Sequence, residues 1–354
     1  MKAILARGLA AAVDRAVFVT ALSRSKSSRA RSPAEALGHD ARLEKLAELT
    51  ASIGPRALLD PASFFGAPSA PRPARALVRR FGRGGEVVDL TWRSSHEPRL
   101  HAVRARYLAH VPNATAHARL LGVPGAGRPA VIVVHGYLGG TYAFEERFWP
   151  LRWLLRQGLD VALLVLPFHG PRKGPEVRPR FPASDPRVTI EGFRQAIGDL
   201  RDLAAWLRAS GAPEVGVLGM SLGGYTSALA ATVAPELSFA VPLVPLASIA
   251  DFAGADGRFV GTAEEQRQQH AAVEAAHAVV SPLARPLALP ASRVAVVAGR
   301  VDRITPLSHA EKLAAHFGCR LEVFDGGHLV QSGRAAALLR VADVFRPTDA
   351  EASS

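Results

Sequence analysis

The chain has 354 residues, 48% of them apolar and only 6% aromatic, which suits one large α/β domain whose core is built on Ala, Val and Leu. No run of about eighteen uncharged apolar residues occurs, so a transmembrane helix is excluded, and the only cysteine, Cys319, excludes an internal disulfide. The net charge of +12 is unevenly divided: residues 1–130 hold 21 Lys and Arg against 9 Asp and Glu, whereas residues 131–354 hold 22 of each.

Residues 3–22 place Leu5, Leu9, Val13 and Val17 four apart, which predicts an amphipathic helix. The first twenty residues carry Lys2, Arg7, Asp14 and Arg15 and lack the uninterrupted apolar region of a signal peptide. With Cys319 unpaired, a reducing cytoplasmic location is expected, with peripheral contact at a membrane as a further option. A basic linker over 23–32 and a helix over 33–53 follow, then Pro- and Gly-rich connections to about Gly85. Residues 1–85 thus read as a basic, mainly helical extension ahead of a domain spanning 86–354. The arginine clusters at 24–31 and 72–83 could attract an anionic lipid surface or another acidic partner, or could simply be solvated. Nothing points to nucleic acid: aromatic interleaving, zinc spacing and a helix-turn-helix pattern are all missing.

From Glu86 the texture changes to short strands, expected at 87–92, 102–109 and 115–121. Pro129 to Val134 is a continuous apolar strand ending in His135-Gly136-Tyr137-Leu138-Gly139-Gly140. A helix is expected over 143–156, a strand over 160–166 leading into Pro167-Phe168-His169-Gly170, and a long amphipathic helix over 189–210. Val215 to Leu218 then runs into Gly219-x-Ser221-x-Gly223 and an alanine-rich helix from about Tyr225. Small residues on either side of Ser221 permit a tight strand-to-helix turn that lifts its Oγ above the sheet, beside the amide groups at the start of the helix. A strand over 239–246 precedes an irregular stretch, 248–290, with a helix at 264–280. Val294 to Gly299 leads to Asp302 and Pro306, and Arg320 to Phe324 leads through Gly326-Gly327 to His328. Strands alternating with helices imply a parallel sheet covered on both faces.

The Gly-x-Ser-x-Gly turn, the His-Gly strand end, the Gly-x-x-Asp-x-x-x-Pro loop and the Gly-Gly-His loop, in the order Ser, Asp, His, resemble the α/β-hydrolase superfamily. The resemblance covers roughly residues 86–345. Pro167 to Lys173 is similar to a Pro-x-x-Gly-x-Arg-Lys run in uncharacterised abhydrolase-domain proteins. It implies an α/β-hydrolase fold with a mostly parallel eight-stranded sheet, an N-terminal helical extension, and a short cap formed by 248–290. It further implies a serine hydrolase of esterase or lipase type acting on a small or lipid-like acyl substrate: Ser221 as nucleophile, His328 as base and Asp302 as the acid that orients it. His135 and His169 remain other candidates for the base, and Asp325 and Asp251 for the acid. The oxyanion donors are expected to be the backbone N–H groups of Tyr137 and Leu222, with His135, Gly136, Gly219 and Gly223 supporting the loop and the elbow. Serine at the elbow argues against the aspartate-based dehalogenases and epoxide hydrolases and against cysteine-based polymer synthases. No spacing suggests a metal site, and neither a GxxxxGK[ST] nor a GxGxxG phosphate motif occurs, so no cofactor is expected. Amide or thioester hydrolysis and acyl transfer would use the same residues, and a non-catalytic binding or scaffold protein on this fold is the competing reading.

Overall fold

A computed structural model describes residues 7–8, 10–15, 37–69, 71–82 and 84–346. The basic linker expected at 23–32 lies outside these residues, as do the ends of the first predicted helix. Residues 10–15 are helical (α1), and the second predicted helix is α2, His39–Ile53.

Among the described residues, nine strands form one sheet. They are β1 (Ala74–Phe81), β2 (Gly85–Arg93), β3 (Thr115–Gly122), β4 (Ala130–Val134), β5 (Asp160–Leu164), β6 (Val215–Met220), β7 (Ala240–Leu243), β8 (Ala295–Gly299) and β9 (Arg320–Phe324). Their spatial order is β1-β2-β3-β5-β4-β6-β7-β8-β9. The first three pairings, β1 with β2, β2 with β3 and β3 with β5, are antiparallel, and every later one is parallel. Every residue of β4 and β6 is buried, because helices cover both faces and leave no polar side to alternate with. One apolar cluster fills each face of the sheet.

The sheet has one strand more than expected. Arg75, Arg79 and Arg80 lie in the additional strand, β1, a stretch taken above for an irregular connection. Its residues are almost all exposed, so no apolar alternation betrays it, and its place is set by backbone pairing to β2. Part of the N-terminal charge excess is neutralised here, since Arg79 pairs with Glu146 and Arg80 with Glu86.

Two short helical turns, Arg56–Leu59 and Pro61–Phe65, follow α2, and the further helices of the described residues are α3 (His101–Leu108), α4 (Tyr142–Phe148), α5 (Leu151–Arg156), α6 (Pro186–Ala209), α7 (Leu222–Val233), α8 (Ile249–Ala255), α9 (Ala263–His277), α10 (Leu307–Phe317) and α11 (Arg334–Arg340). Two differ from the sequence reading. The strand expected at 102–109 is helix α3, whose buried Val103 and Tyr107 stand four apart, a helical spacing. The single helix expected at 143–156 is interrupted at Trp149-Pro150, because Pro150 has no N–H to continue the ladder. The stretch 248–290 folds as α8, α9 and short 3-10 turns, and α9 packs against α2 of the extension. Arg42 on α2 donates to the Arg258 carbonyl at 2.7 Å across this contact. Among the described residues, no helix is long and apolar enough to cross a membrane.

Polar side chains form a buried stripe along α6. Glu191 accepts from the backbone N–H groups of Arg99 and Leu100, and Gln195 accepts from Tyr107 Oη and Asn113 Nδ2. Asp199 accepts from Ser94 and from Arg172 Nη1, the latter at 2.7 Å. The whole stripe anchors the irregular chain between β2 and β3. Arg172, from the Pro-x-x-Gly-x-Arg-Lys run, is fully buried and also donates to the carbonyls of Val165 and Asn113. That run therefore fastens the loop after β5 to α6.

Candidate active site

Four strand ends on one edge of the sheet carry the candidate residues. Pairing of Val134 with Gly219 aligns β4 and β6, so the loop opening with His135-Gly136 emerges beside Ser221. A Cβ built on Gly136 would lie 3.4 Å from Ser221 Cβ, so the two backbones are in close contact. Pairing of Gly299 with Phe324 likewise brings the loops after β8 and β9 together, and with them Asp302 and His328.

Ser221 has φ 58° and ψ −113°, a conformation that non-glycine residues rarely adopt. Its N–H donates to the Leu243 carbonyl at 2.9 Å, and its carbonyl accepts from Tyr225 N–H to open α7. The turn is possible because its glycines admit other backbones. A Cβ on Gly219 would collide with the Gly223 carbonyl oxygen, and one on Gly223 with that of Val134. Ser221 remains partly exposed while the whole of α7 behind it is buried. Leu222 is the first residue of α7, so its N–H has no acceptor within the helix and lies next to Ser221.

Asp302 and His328 form a buried pair. His328 Nδ1 lies 2.8 Å from Asp302 Oδ2. The other carboxylate oxygen accepts from the backbone N–H groups of Ile304 and Thr305, both at 2.8 Å. With every oxygen engaged the carboxylate has one orientation, and it leaves Nε2 as the imidazole atom able to take a proton. Thr305, which the sequence reading did not single out, completes the pair: its Oγ1 is 3.0 Å from each of Asp302 Oδ2, His328 Nδ1 and the Val244 carbonyl. Ile304, two residues beyond Asp302, closes an Asx turn on the carboxylate, and Thr305 follows it directly.

The other candidates are engaged elsewhere. Asp325 is at the surface, paired with Arg7 at 2.6 Å and with Arg300, and those cations hold its carboxyl below the usual range. Asp251 pairs with Lys312 at 2.6 Å and with His270 at 2.8 Å. His135 faces its own Gly136 carbonyl through Nδ1 at 2.7 Å, and its Nε2 accepts from Leu166 N–H at 3.0 Å. That pattern requires the neutral ring, and burial pushes its pKa down to about 4. The imidazole thus braces the loop that carries Tyr137. Glu145, buried by α4, braces the same loop by accepting from Gly140 N–H at 2.8 Å and Trp149 Nε1 at 2.9 Å. His169 packs its ring against those of His135 and Tyr137, its Nδ1 facing the Pro167 carbonyl. Burial, then repulsion from His135, holds its pKa well below the ordinary histidine value.

The family described as "Alpha/beta hydrolase domain containing 18" matches residues 95–257, a span that includes the His-Gly strand end and the serine elbow. The chain has the α/β-hydrolase fold. Uncharacterised proteins of two Mycobacterium tuberculosis strains, CDC 1551 / Oshkosh and H37Rv, are 31% identical to it over 233 residues, 63% of this chain and 55% of theirs. This α/β-hydrolase-fold chain therefore spans only about half the length of the curated relatives it matches. Among solved structures, acetyl xylan esterase 1 from Thermoanaerobacterium sp. JW/SL YS485 overlaps it with a TM-score of 0.56 at 17% identity, covering 86% of this chain and 94% of the other. The acetyl xylan esterase from Paenibacillus sp. R4 overlaps with a TM-score of 0.53 at 16% identity, covering 86% and 93%. At these identities the likeness is one of fold.

One grouping was invisible to spacing. Asp251 on α8 and His270 and Glu274 on α9 bring donor atoms within 4.8 Å of one another. The Lys312 ammonium already neutralises Asp251, and Ser248 donates to Glu274, so the group is internally satisfied.

Proposed function

We propose that the chain is a serine hydrolase that cleaves a carboxylic ester through Ser221, His328 and Asp302. The observation that carries this reading is the Asp302–His328 pair, held at 2.8 Å on the same sheet edge as a serine at positive φ. Ser221 Oγ attacks the acyl carbonyl carbon while its proton passes to His328 Nε2. The tetrahedral oxyanion takes hydrogen bonds from the N–H groups of Leu222 and Tyr137, with the N-terminal end of α7 behind them. The C–O bond to the leaving group then breaks, and His328 returns the proton to the departing alkoxide, which leaves acyl-Ser221. Water, deprotonated by His328, attacks that ester, and collapse frees the acid and restores the serine. Asp302 holds the ring in the tautomer with hydrogen on Nδ1 and stabilises the imidazolium formed at each step. These residues bring no preference for an ester over an amide or a thioester. An acetyl ester is the first substrate to try, since both solved structures cited are named as acetyl xylan esterases.

The test is fluorophosphonate labelling of the protein beside Ser221→Ala, together with p-nitrophenyl esters of increasing chain length. Labelling and turnover that vanish with the serine are the expected result. A folded protein with no serine-dependent labelling would bring forward a non-catalytic binding role for this fold.

A further inference from the structure

We infer that Asp14, delivered by α1 from the N-terminal extension, is a positioning residue for the histidine loop. The inference rests on the reading of His328 as the base. The loop between β9 and His328 contains two consecutive glycines, and such a segment does not hold an imidazole still by itself. Its backbone N–H groups point to one place, and a carboxylate fills it. Asp14 Oδ2 accepts from His328 N–H at 2.5 Å and from Arg303 N–H at 3.4 Å, and Oδ1 accepts from Leu329 N–H at 3.0 Å. One side chain thus ties the loop bearing His328 to the loop bearing Asp302. Asp14 is fully buried, a position that a carboxylate tolerates only when donors surround it, and three amide groups do so.

Gly327 gives independent support. Its φ is not positive, so backbone conformation does not call for glycine there. Instead, a Cβ at this position would collide with Asp14 Oδ2 and would sit 3.4 Å from the Ala10 carbonyl. The glycine in the histidine loop therefore makes room for α1. Residues 10–15 lie ahead of the first strand of the sheet, so a segment of the N-terminal extension reaches the histidine loop directly. Misplacing a reacting group by about 1 Å costs on the order of 100-fold in rate. That sets the scale for loosening the loop while every reacting group is kept.

The experiment compares full-length wild type, Asp14→Asn, Asp14→Ala and Ser221→Ala. Three quantities are followed: ester turnover, the rate of fluorophosphonate labelling, and the proton resonance of His328 Nδ1, deshielded by Asp302. Both Asp14 variants are expected to lose about 10- to 100-fold in kcat and in labelling rate with KM little changed. The Nδ1 resonance should shift or broaden in both and persist in Ser221→Ala. Should Asp14→Ala fail to fold, the near-isosteric Asp14→Asn carries the test alone. Folded Asp14 variants with wild-type labelling and an unaltered Nδ1 resonance would overturn the inference. Absence of serine-dependent labelling in the wild type would instead count against the catalytic reading. In that case the Nδ1 resonance alone decides whether Asp14 holds the loop.

Discussion

Asp302 and Asp325 lie at comparable places in the sequence, each just beyond a strand, yet their surroundings are opposite. Asp302 is buried with His328 Nδ1 on one oxygen and two backbone donors on the other, whereas Asp325 is half-exposed between Arg7 and Arg300. Asp302→Asn keeps the shape but presents an amide to the ring, which favours the wrong tautomer. It should therefore lower kcat by about 10³- to 10⁴-fold. Asp325→Asn removes only a screened surface pair and should leave kcat within about twofold. Turnover of one ester by the two purified variants checks both, and equal losses would refute the assignment. The choice of His328 over eleven other histidines rested on the Gly-Gly loop, and the choice of Asp302 on its loop pattern. Thr305 and Asp14 were not legible as site residues: the first touches the pair through its hydroxyl, and the second lies 314 residues from His328.

The elbow works as an element because α7 packs directly onto β4 and β6. A Cβ at Gly219 would meet the Gly223 carbonyl, and backbone atoms cannot give way as a side-chain tip can. Gly219→Ala should thus destabilise the fold by at least about 3 kcal/mol, above the usual range for overpacking, and abolish labelling. Urea unfolding checks the first effect, and an unchanged midpoint would mean that the turn is looser than its geometry. The strands around the site were readable because buried parallel strands are continuous apolar runs. Helix α3 was misread although Val103 and Tyr107 had helical spacing, because its flanks had led to the expectation of a run of strands. Strand β1 has no apolar face to read, since pairing to β2 alone orders it.

Across the whole molecule, several histidines are buried as neutral rings. Burial pushes His135 and His277 down to about 4, and it holds His96 and His169 well below the ordinary value of 6.5. The unfolded chain therefore binds more protons than the folded one between pH 6.5 and about 4. The corresponding stability is fully present above 6.5 and is lost as pH falls through that window. Each such ring contributes a slope on the order of 1.4 kcal/mol per pH unit there. Urea midpoints should drop steeply between about pH 6.5 and 5, before carboxylates such as Asp185 and Asp251 begin to titrate. A midpoint unchanged over that range would show that these rings open to solvent at little cost.

What the sequence determined by itself was the order of strands and helices from β4 onward and the residues at the strand ends, because apolar period and glycine placement are local properties. The α/β-hydrolase fold followed from them, and so did the candidacy of Ser221, Asp302 and His328. Tertiary structure alone decided which carboxylate faces His328, that the extension contributes an edge strand, and that α1 reaches the histidine loop. The physical reason is the same in each case. A hydrogen bond between residues far apart in the chain depends on where two backbones meet, and no local pattern of side chains encodes that meeting.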